Sequence, residues 1–269
     1  MLNSLHTYLL HLLDYFSTLP WHIAAAWLLL ENILLFLASL AFGYSLLALF
    51  KRDRVSDLPE PLQWQEVAWA LSCVLLNAVV TLAGWWLWRH GLITVRRDAG
   101  MRVLFDVAVL TLAMDFAMYI SHRIAHFKWV YPWMHATHHH YDKPRPLNLF
   151  VLNPFEVLGF GALWLAVLML YPATWLGILL YLTLNLIFGT IGHLGVEPLP
   201  KSWVKLPLIR HISSSTFHAR HHQNGTVNFG FYTDLWDRLF QSLYTRYTQT
   251  FGKLDRDAIA KTPATEPEA

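Results

Sequence analysis

Residues 103–120 read VLFDVAVLTLAMDFAMYI, and residues 121–144 continue SHRIAHFKWVYPWMHATHHHYDKP. A largely apolar helix-length run thus opens directly into two clusters of histidine. In the first cluster His122 and His126 stand at i and i+4, one face of a helix, so both rings can reach a common ion. In the second, His135, His138 and His139 stand at i, i+3 and i+4, again placed for one face. The spacing returns further on as HARHH, with His218, His221 and His222. Neutral imidazole is a good ligand for iron, zinc, copper and nickel. A lone histidine pair at helical spacing is common, but two HxxHH clusters beside HRIAH make a metal site the better reading. Eight imidazoles are too many for one ion, since zinc takes four and catalytic iron leaves positions open, so they suit two ions. His193, in GHLG at the end of a later apolar run, is a candidate ninth ligand, and His140 an extra ligand or a donor to one.

The rest of the 269 residues gives these clusters their setting. Apolar residues make up 55%, charged residues only 14%, and thirteen tryptophans are present. Average soluble proteins carry about 25% charged residues, so there is too little charge here to coat a globule. A net charge of +2 without a run of like charges offers no surface for nucleic acid. The single cysteine, Cys73, lies in an apolar stretch, which excludes an intramolecular disulfide and a thiolate metal site.

Apolar runs cover residues 21–50, 67–88, 103–120, 147–170 and 173–191, the last two meeting at Tyr171-Pro172. About 20 helical residues cross a hydrocarbon core of ~30 Å, so the first three read as spans. The last two read as a tight transmembrane hairpin or a re-entrant pair. Residues 1–20 carry leucines at helical spacing and no cleavable signal, as expected of an amphipathic interfacial helix. Lysine and arginine divide sixteen to four between the two sides, and the positive-inside rule puts the histidine-rich side in the cytoplasm. The expected fold is an all-α polytopic membrane bundle with a cytoplasmic histidine-rich helical cap holding a dinuclear metal site. Its expected divisions are an interfacial helix over 1–20, spans without a motif over 21–95, a catalytic unit over 96–250 and a polar, disordered tail over 251–269.

Few acids accompany the histidines. Asp115 lies seven residues before His122, on the same helix face, where it can hold an imidazole through its other nitrogen or serve helix packing. Asp142 follows the second cluster and is a candidate for the same supporting role. Glu31 and Glu156 interrupt apolar runs, where an ionisable group is functional by default, or is held protonated or paired. His6, His11, His22 and His90 read as interfacial, and His211 as a surface residue.

HRIAH, HATHHHYDKP and HARHH, in this order on a polytopic chain, resemble the fatty acid hydroxylase / sterol desaturase superfamily. Asn228-Phe229-Gly230 followed by Trp236-Asp237-Arg238-Leu239-Phe240 resembles its usual ending, so the likeness runs over roughly residues 100–245. The resemblance implies a membrane-bound non-haem oxygenase with two iron ions, zinc being a possible substitute, and with dioxygen as co-substrate. It implies that His122, His126, His135, His138, His139, His218, His221 and His222 ligate the metals, with His193 as a ninth; His140, Asp115, Asp142 and Asn228 are supporting candidates. The implied reaction hydroxylates, or alternatively desaturates, a lipid such as a fatty acyl chain or a sterol. Electrons would come from a separate donor (cytochrome b5-like, ferredoxin or reductase), because the chain has neither GxGxxG nor CxxCH. The third span and the hairpin would wall a greasy cavity, with Phe116, Met118, Phe150, Phe155 and Phe160 as candidate lining.

Two readings from other classes compete. A metal transporter should place its ionisable groups near the bilayer midplane, whereas here they gather beyond span ends. A zinc-dependent membrane hydrolase needs fewer ligands and a carboxylate base, and HExxH is missing. The tail ends TPATEPEA without a retention signal, which favours a bacterial inner membrane over the endoplasmic reticulum.

Overall fold

The computed structural model describes residues 2–255, with side chains from residue 7 onward. From residue 256 on, the polar tail expected over 251–269 lies outside the described residues. Helix α1 (Leu2–Thr18) stops before Pro20, and α2 (Trp21–Leu49), α3 (Trp64–Arg89) and α4 (Met101–Ala125) follow. Two single turns, α5 (Tyr131–Met134) and α6 (Ala136–His139), carry the second histidine cluster. The hairpin α7 (Pro154–Leu170) and α8 (Trp175–Gly192) comes next, then the short α9 (Ser215–Gln223), α10 (Leu235–Leu239) and α11 (Tyr247–Thr250). Among the described residues there is no strand, only three isolated bridges.

Among the described residues four helices, α2, α3, α4 and α8, are long and apolar enough to cross a membrane. The run expected from residue 147 does not form one helix. Pro146–Phe150 makes a 3-10 turn, the chain extends, and Pro154 restarts it as α7 with Asn153 Oδ1 accepting from Phe155 N at 3.0 Å. That leaves α7 with 17 residues, at the lower limit for a crossing.

The turn between α7 and α8 nevertheless reaches the end of the bundle remote from the histidines. Arg96 N donates to Ala173 O at 2.8 Å and Trp175 N to Arg96 O at 3.0 Å, tying the turn to the α3–α4 connection. The buried Asp106 carboxylate completes the knot, accepting from Thr174 N at 2.7 Å, Tyr171 Oη at 2.6 Å and Arg102 Nε at 3.0 Å. The corner after α1 is fastened at this same end, with Trp85 Nε1 on Phe16 O and Arg89 on Leu19 O.

The principal packings run α2–α3–α7–α4–α8 and back to α2. Small residues allow these close approaches. A Cβ on Gly161 of α7 would stand 2.5 Å from Val80 of α3, and one on Gly43 of α2 would stand 2.7 Å from Pro146. The C-termini of α2, α4 and α8 and the N-termini of α3 and α7 therefore share one end of the bundle. The loops there form a single cap: Val55 N donates to Gly195 O at 3.1 Å and Glu197 N to Asp53 O at 2.8 Å.

Candidate metal centre

The histidines arrive at the cap end from four pieces of chain. His126 and His193 are the residues on which α4 and α8 terminate. His122 lies one turn back in α4, because the third span continues through HRIA. Helix α9 is buried along its length except at Gln223, and its start is fixed by Glu197 Oε2, which accepts from Thr216 N at 2.8 Å and Thr216 Oγ1 at 2.7 Å.

Nine imidazoles converge as two groups. His122, His126, His135, His139 and His221 form one, and His138, His193, His218 and His222 the other; within each, the ligating atoms all lie within 4.8 Å of one another. Each HxxHH cluster is thereby divided, where its spacing predicts one shared face. His135 and His139 face the five-membered group while His138 faces the four-membered one. His218 and His222 face the four while His221 crosses to the five. The reason is angular: at about 100° per residue, i+4 lies ~40° to one side of i and i+3 ~60° to the other. The two groups lie side by side, with the rings of His139 and His222 stacked at 4.7 Å.

The rings are aimed by their outer nitrogens. His122 Nδ1 meets Phe229 O at 2.8 Å, His193 Nδ1 meets Gly189 O at 2.7 Å, and His221 Nδ1 meets Val227 O at 2.7 Å. His138 Nδ1 lies 3.4 Å from Val151 O, and His135 Nδ1 2.6 Å from Glu156 Oε1. A carbonyl only accepts, so a ring bound to one carries its proton on Nδ1 and presents a lone pair at Nε2. Yet Nε2 of His193 and His138 stand 3.2 Å apart, and Nε2 of His221 stands 3.1 Å from that of His126 and 3.0 Å from that of His139. Where both lone pairs point inward no proton links them, as for His193 and His138. A cation between them turns repulsion into ligation. The donor set therefore fits a metal.

Burial keeps these rings neutral, with the other imidazoles adding to the effect at most of them. It takes His126 to a pKa of about 3 and His193 to about 4, and holds His135, His138, His139, His218, His221 and His222 well below the ordinary histidine range. Unfolded histidines take up protons near pH 6.5, so below that pH the unfolded chain binds more protons than the folded one. The metal-stripped protein should be fully stable above about pH 6.5 and lose stability as pH falls towards 4. Thermal unfolding of stripped protein between pH 7 and 4.5 measures this, and a flat midpoint across that range would contradict it.

The supporting residues lie in different places from those the spacing suggests. The hydrogen bonds of Asp115 run to Tyr232 N, Thr233 N, Thr233 Oγ1 and Trp236 Nε1, and none to an imidazole. His140 is exposed against Tyr141, outside both groups, and Asp142 is exposed. Asn228, at φ 56°, ties α9 to the segment before α11: Nδ2 donates to Phe217 O at 2.9 Å and Oδ1 accepts from Tyr244 N at 2.8 Å. His211 pairs with Asp234 at 2.8 Å, and Glu31 is exposed on α2.

Two residues that composition alone does not single out matter more. Asp237, fully buried, accepts from Phe229 N at 2.8 Å and Gly230 N at 2.7 Å, and so holds the carbonyl that aims His122. A Cβ at Gly230 would stand 2.2 Å from Thr233 O, which is why glycine follows Phe229. Glu156 is the carboxylate that reaches an imidazole of the two groups, and its only sequence signal is an acid inside an apolar run. Beside it a cavity of about 160 Å3 opens between α4 and α7, lined by Ser121, Ala125, Met134, Glu156, Gly159 and Phe160 among others. Of the other aromatics expected to line such a space, Phe116 packs on Trp236, Phe150 on Phe36, and Phe155 is exposed.

The family model described as fatty acid hydroxylase matches residues 107–242, which is 136 of the 269 residues and includes all nine histidines. A cholesterol 25-hydroxylase-like protein of Danio rerio is 27% identical over 160 residues, 59% of this chain and 63% of that protein. Methylsterol monooxygenase 1 of Danio rerio is 28% identical over 124 residues, 46% and 42% of the two chains. A Delta(7)-sterol 5(6)-desaturase of Eremothecium gossypii is 26% identical over 229 residues, 79% of this chain and 63% of that protein. The matches thus cover less than two thirds of the length of each of these relatives. No solved structure matches at a significant level.

Proposed function

The chain belongs to the fatty acid hydroxylase family, and from that premise we propose that it is a membrane-embedded oxidoreductase hydroxylating an unactivated C–H bond of a lipid. It would use two iron ions, dioxygen and electrons from a separate donor. The observation that carries this reading is the convergence of nine buried or half-buried imidazoles as groups of five and four. Five nitrogen donors are one more than a tetrahedral zinc accepts. That group favours an ion of higher coordination number, such as iron, over structural zinc.

Bound there, iron supplies the activation of dioxygen that side chains cannot. The chain's own residues hold and shield. His122, His126, His135, His139 and His221 would hold one ion, and His138, His193, His218 and His222 the other. The carbonyls of Phe229, Gly189 and Val227 and the Glu156 carboxylate keep the rings turned inward. The apolar walls of α4 and α7 exclude water and give an acyl or sterol chain a route from the bilayer to the five-membered group. The catalytic unit is the segment 96–250, with 21–95 completing the bundle around it, and the basic residues favour a cytoplasmic site. A one-electron carrier such as a cytochrome b5-like protein, a ferredoxin or a reductase would supply the electrons.

Desaturation is the second reading, and the alignment with the sterol desaturase, which spans 79% of this chain, favours keeping it. Membrane lipids from cells with and without the active protein, grown under 18O-labelled dioxygen, separate the outcomes. Hydroxylation gives a lipid carrying one labelled oxygen, and desaturation a new double bond without label. Absence of any oxidised lipid would overturn the oxygenase reading.

A further inference from the structure

Among the buried acids near the cap end, Asp115, Asp237 and Glu197 each share their negative charge among several donors. Asp115 accepts four hydrogen bonds, Asp237 accepts from two backbone N–H groups and the Ser242 hydroxyl, and Glu197 accepts from Thr216 twice and from Leu199 N. Glu156 differs. It is 1% exposed, its Oε1 meets His135 Nδ1 at 2.6 Å, and its Oε2 is buried without a hydrogen-bond partner. It stands in the first turn of α7, where the helix dipole favours negative charge.

The partners of the other rings sharpen the contrast. The outer nitrogens of His122, His138, His193 and His221 meet backbone carbonyls. Only His135, among the described residues of the two groups, has a carboxylate there. A carboxylate pulls harder on the Nδ1 proton than a carbonyl does, fixes the tautomer, and makes Nε2 a stronger donor. With no other hydrogen bond to divide it, the charge of Glu156 would act on this one ring, and an ion in the five-membered group would be the cation that lets this buried carboxylate keep its charge.

We infer that Glu156 is a positioning residue that acts through His135 to strengthen metal binding by the five-histidine group alone, leaving the two metal positions inequivalent. The inference rests on the two-ion reading above. The four-histidine group has no carboxylate on any of its rings, so its ion is held without such help.

The test measures iron per chain in the purified full-length protein, under a graded series of chelator concentrations. Wild type should hold two equivalents. Glu156→Leu removes the acceptor and should weaken one equivalent by about 10–100-fold, the usual cost of losing such a partner. Glu156→Gln keeps an oxygen for His135 Nδ1–H but no charge, and should fall between the two. Double variants assign the loss: Glu156→Leu added to His221→Ala should change nothing further, whereas added to His218→Ala it should leave neither ion tightly held. Glu156→Leu keeping both equivalents at wild-type chelator resistance would overturn the inference, as would equal weakening of both. If Glu156→Leu does not fold, Glu156→Gln carries the test, and its resisting chelator like wild type at both positions is the contrary result. A wild-type chain holding a single equivalent would instead overturn the two-ion reading itself.

Discussion

His221→Ala should lower turnover by ~10³-fold or more, the scale at which losing one member of a catalytic unit acts, while the protein still inserts and stays folded. The His221 ring is fully buried, and its Nε2 stands 3.1 Å from that of His126 and 3.0 Å from that of His139. No other ring of the five-membered group has two such close neighbours among the hydrogen-bond-length contacts. Truncating it removes two edges of the donor cage at once and leaves the Val227 carbonyl without its ring. His140→Ala is the natural control, because His140 is exposed and outside both groups. It should leave turnover and metal content unchanged. Lipid oxidation per chain and iron per chain, measured side by side for the two variants, check this. An active His221→Ala protein would mean that the five-membered group is not the working site.

The second large effect lies at Asp237, which touches no histidine. Asp237→Ala should destabilise the cap by roughly 3 kcal/mol or more, since three buried donors lose their acceptor at about 1–3 kcal/mol each. The donors are Phe229 N, Gly230 N and Ser242 Oγ, and Ser242 also contacts Tyr119 of α4. Because Phe229 O aims His122, the same substitution should release metal from the five-membered group. Asp237→Asn keeps one accepting oxygen and should lose less on both counts. Thermal unfolding in detergent, read together with iron per chain, tests the pair. Wild-type values for Asp237→Ala in both would contradict the role given to this carboxylate.

Much of this was legible in the residues because the period of a helix is fixed. Imidazoles at i, i+3 and i+4 have to leave the helix on neighbouring faces, so HRIAH, HATHHH and HARHH announce convergent donors. Apolar runs of span length announce the bundle in the same way. What spacing leaves open is how a 100° difference between adjacent positions is used. It allows His138 and His139 to join one donor group or two, and only the approach of His138 to His193 and of His139 to His221 decides this. Asp115 illustrates the same limit from the other side. Its place seven residues before His122 puts it on the right face of α4, but a turn too deep to reach a ring, so its carboxylate gathers residues 232–236 instead.

Contacts made by the backbone were not legible at all. The rings are aimed largely by carbonyl oxygens, which every residue possesses, so nothing in the identities of Phe229, Gly189 or Val227 marks them. The break at 151–153 did carry a signal, Asn153 as a cap followed by Pro154 at the first helical position, which an apolar count of the whole run passes over. Asp106 reads as one polar residue in a span, and its function as the anchor of the hairpin turn depends on Thr174 and Tyr171, more than sixty residues away.

The proposed oxygenase would hold two metal ions in this cap. Elemental analysis of the protein purified from iron-sufficient cells, in mild detergent without chelator, tests it most directly. Two irons per chain, falling to about one in His218→Ala and in His221→Ala alike, is the expected result. A single zinc per chain and no iron would contradict it.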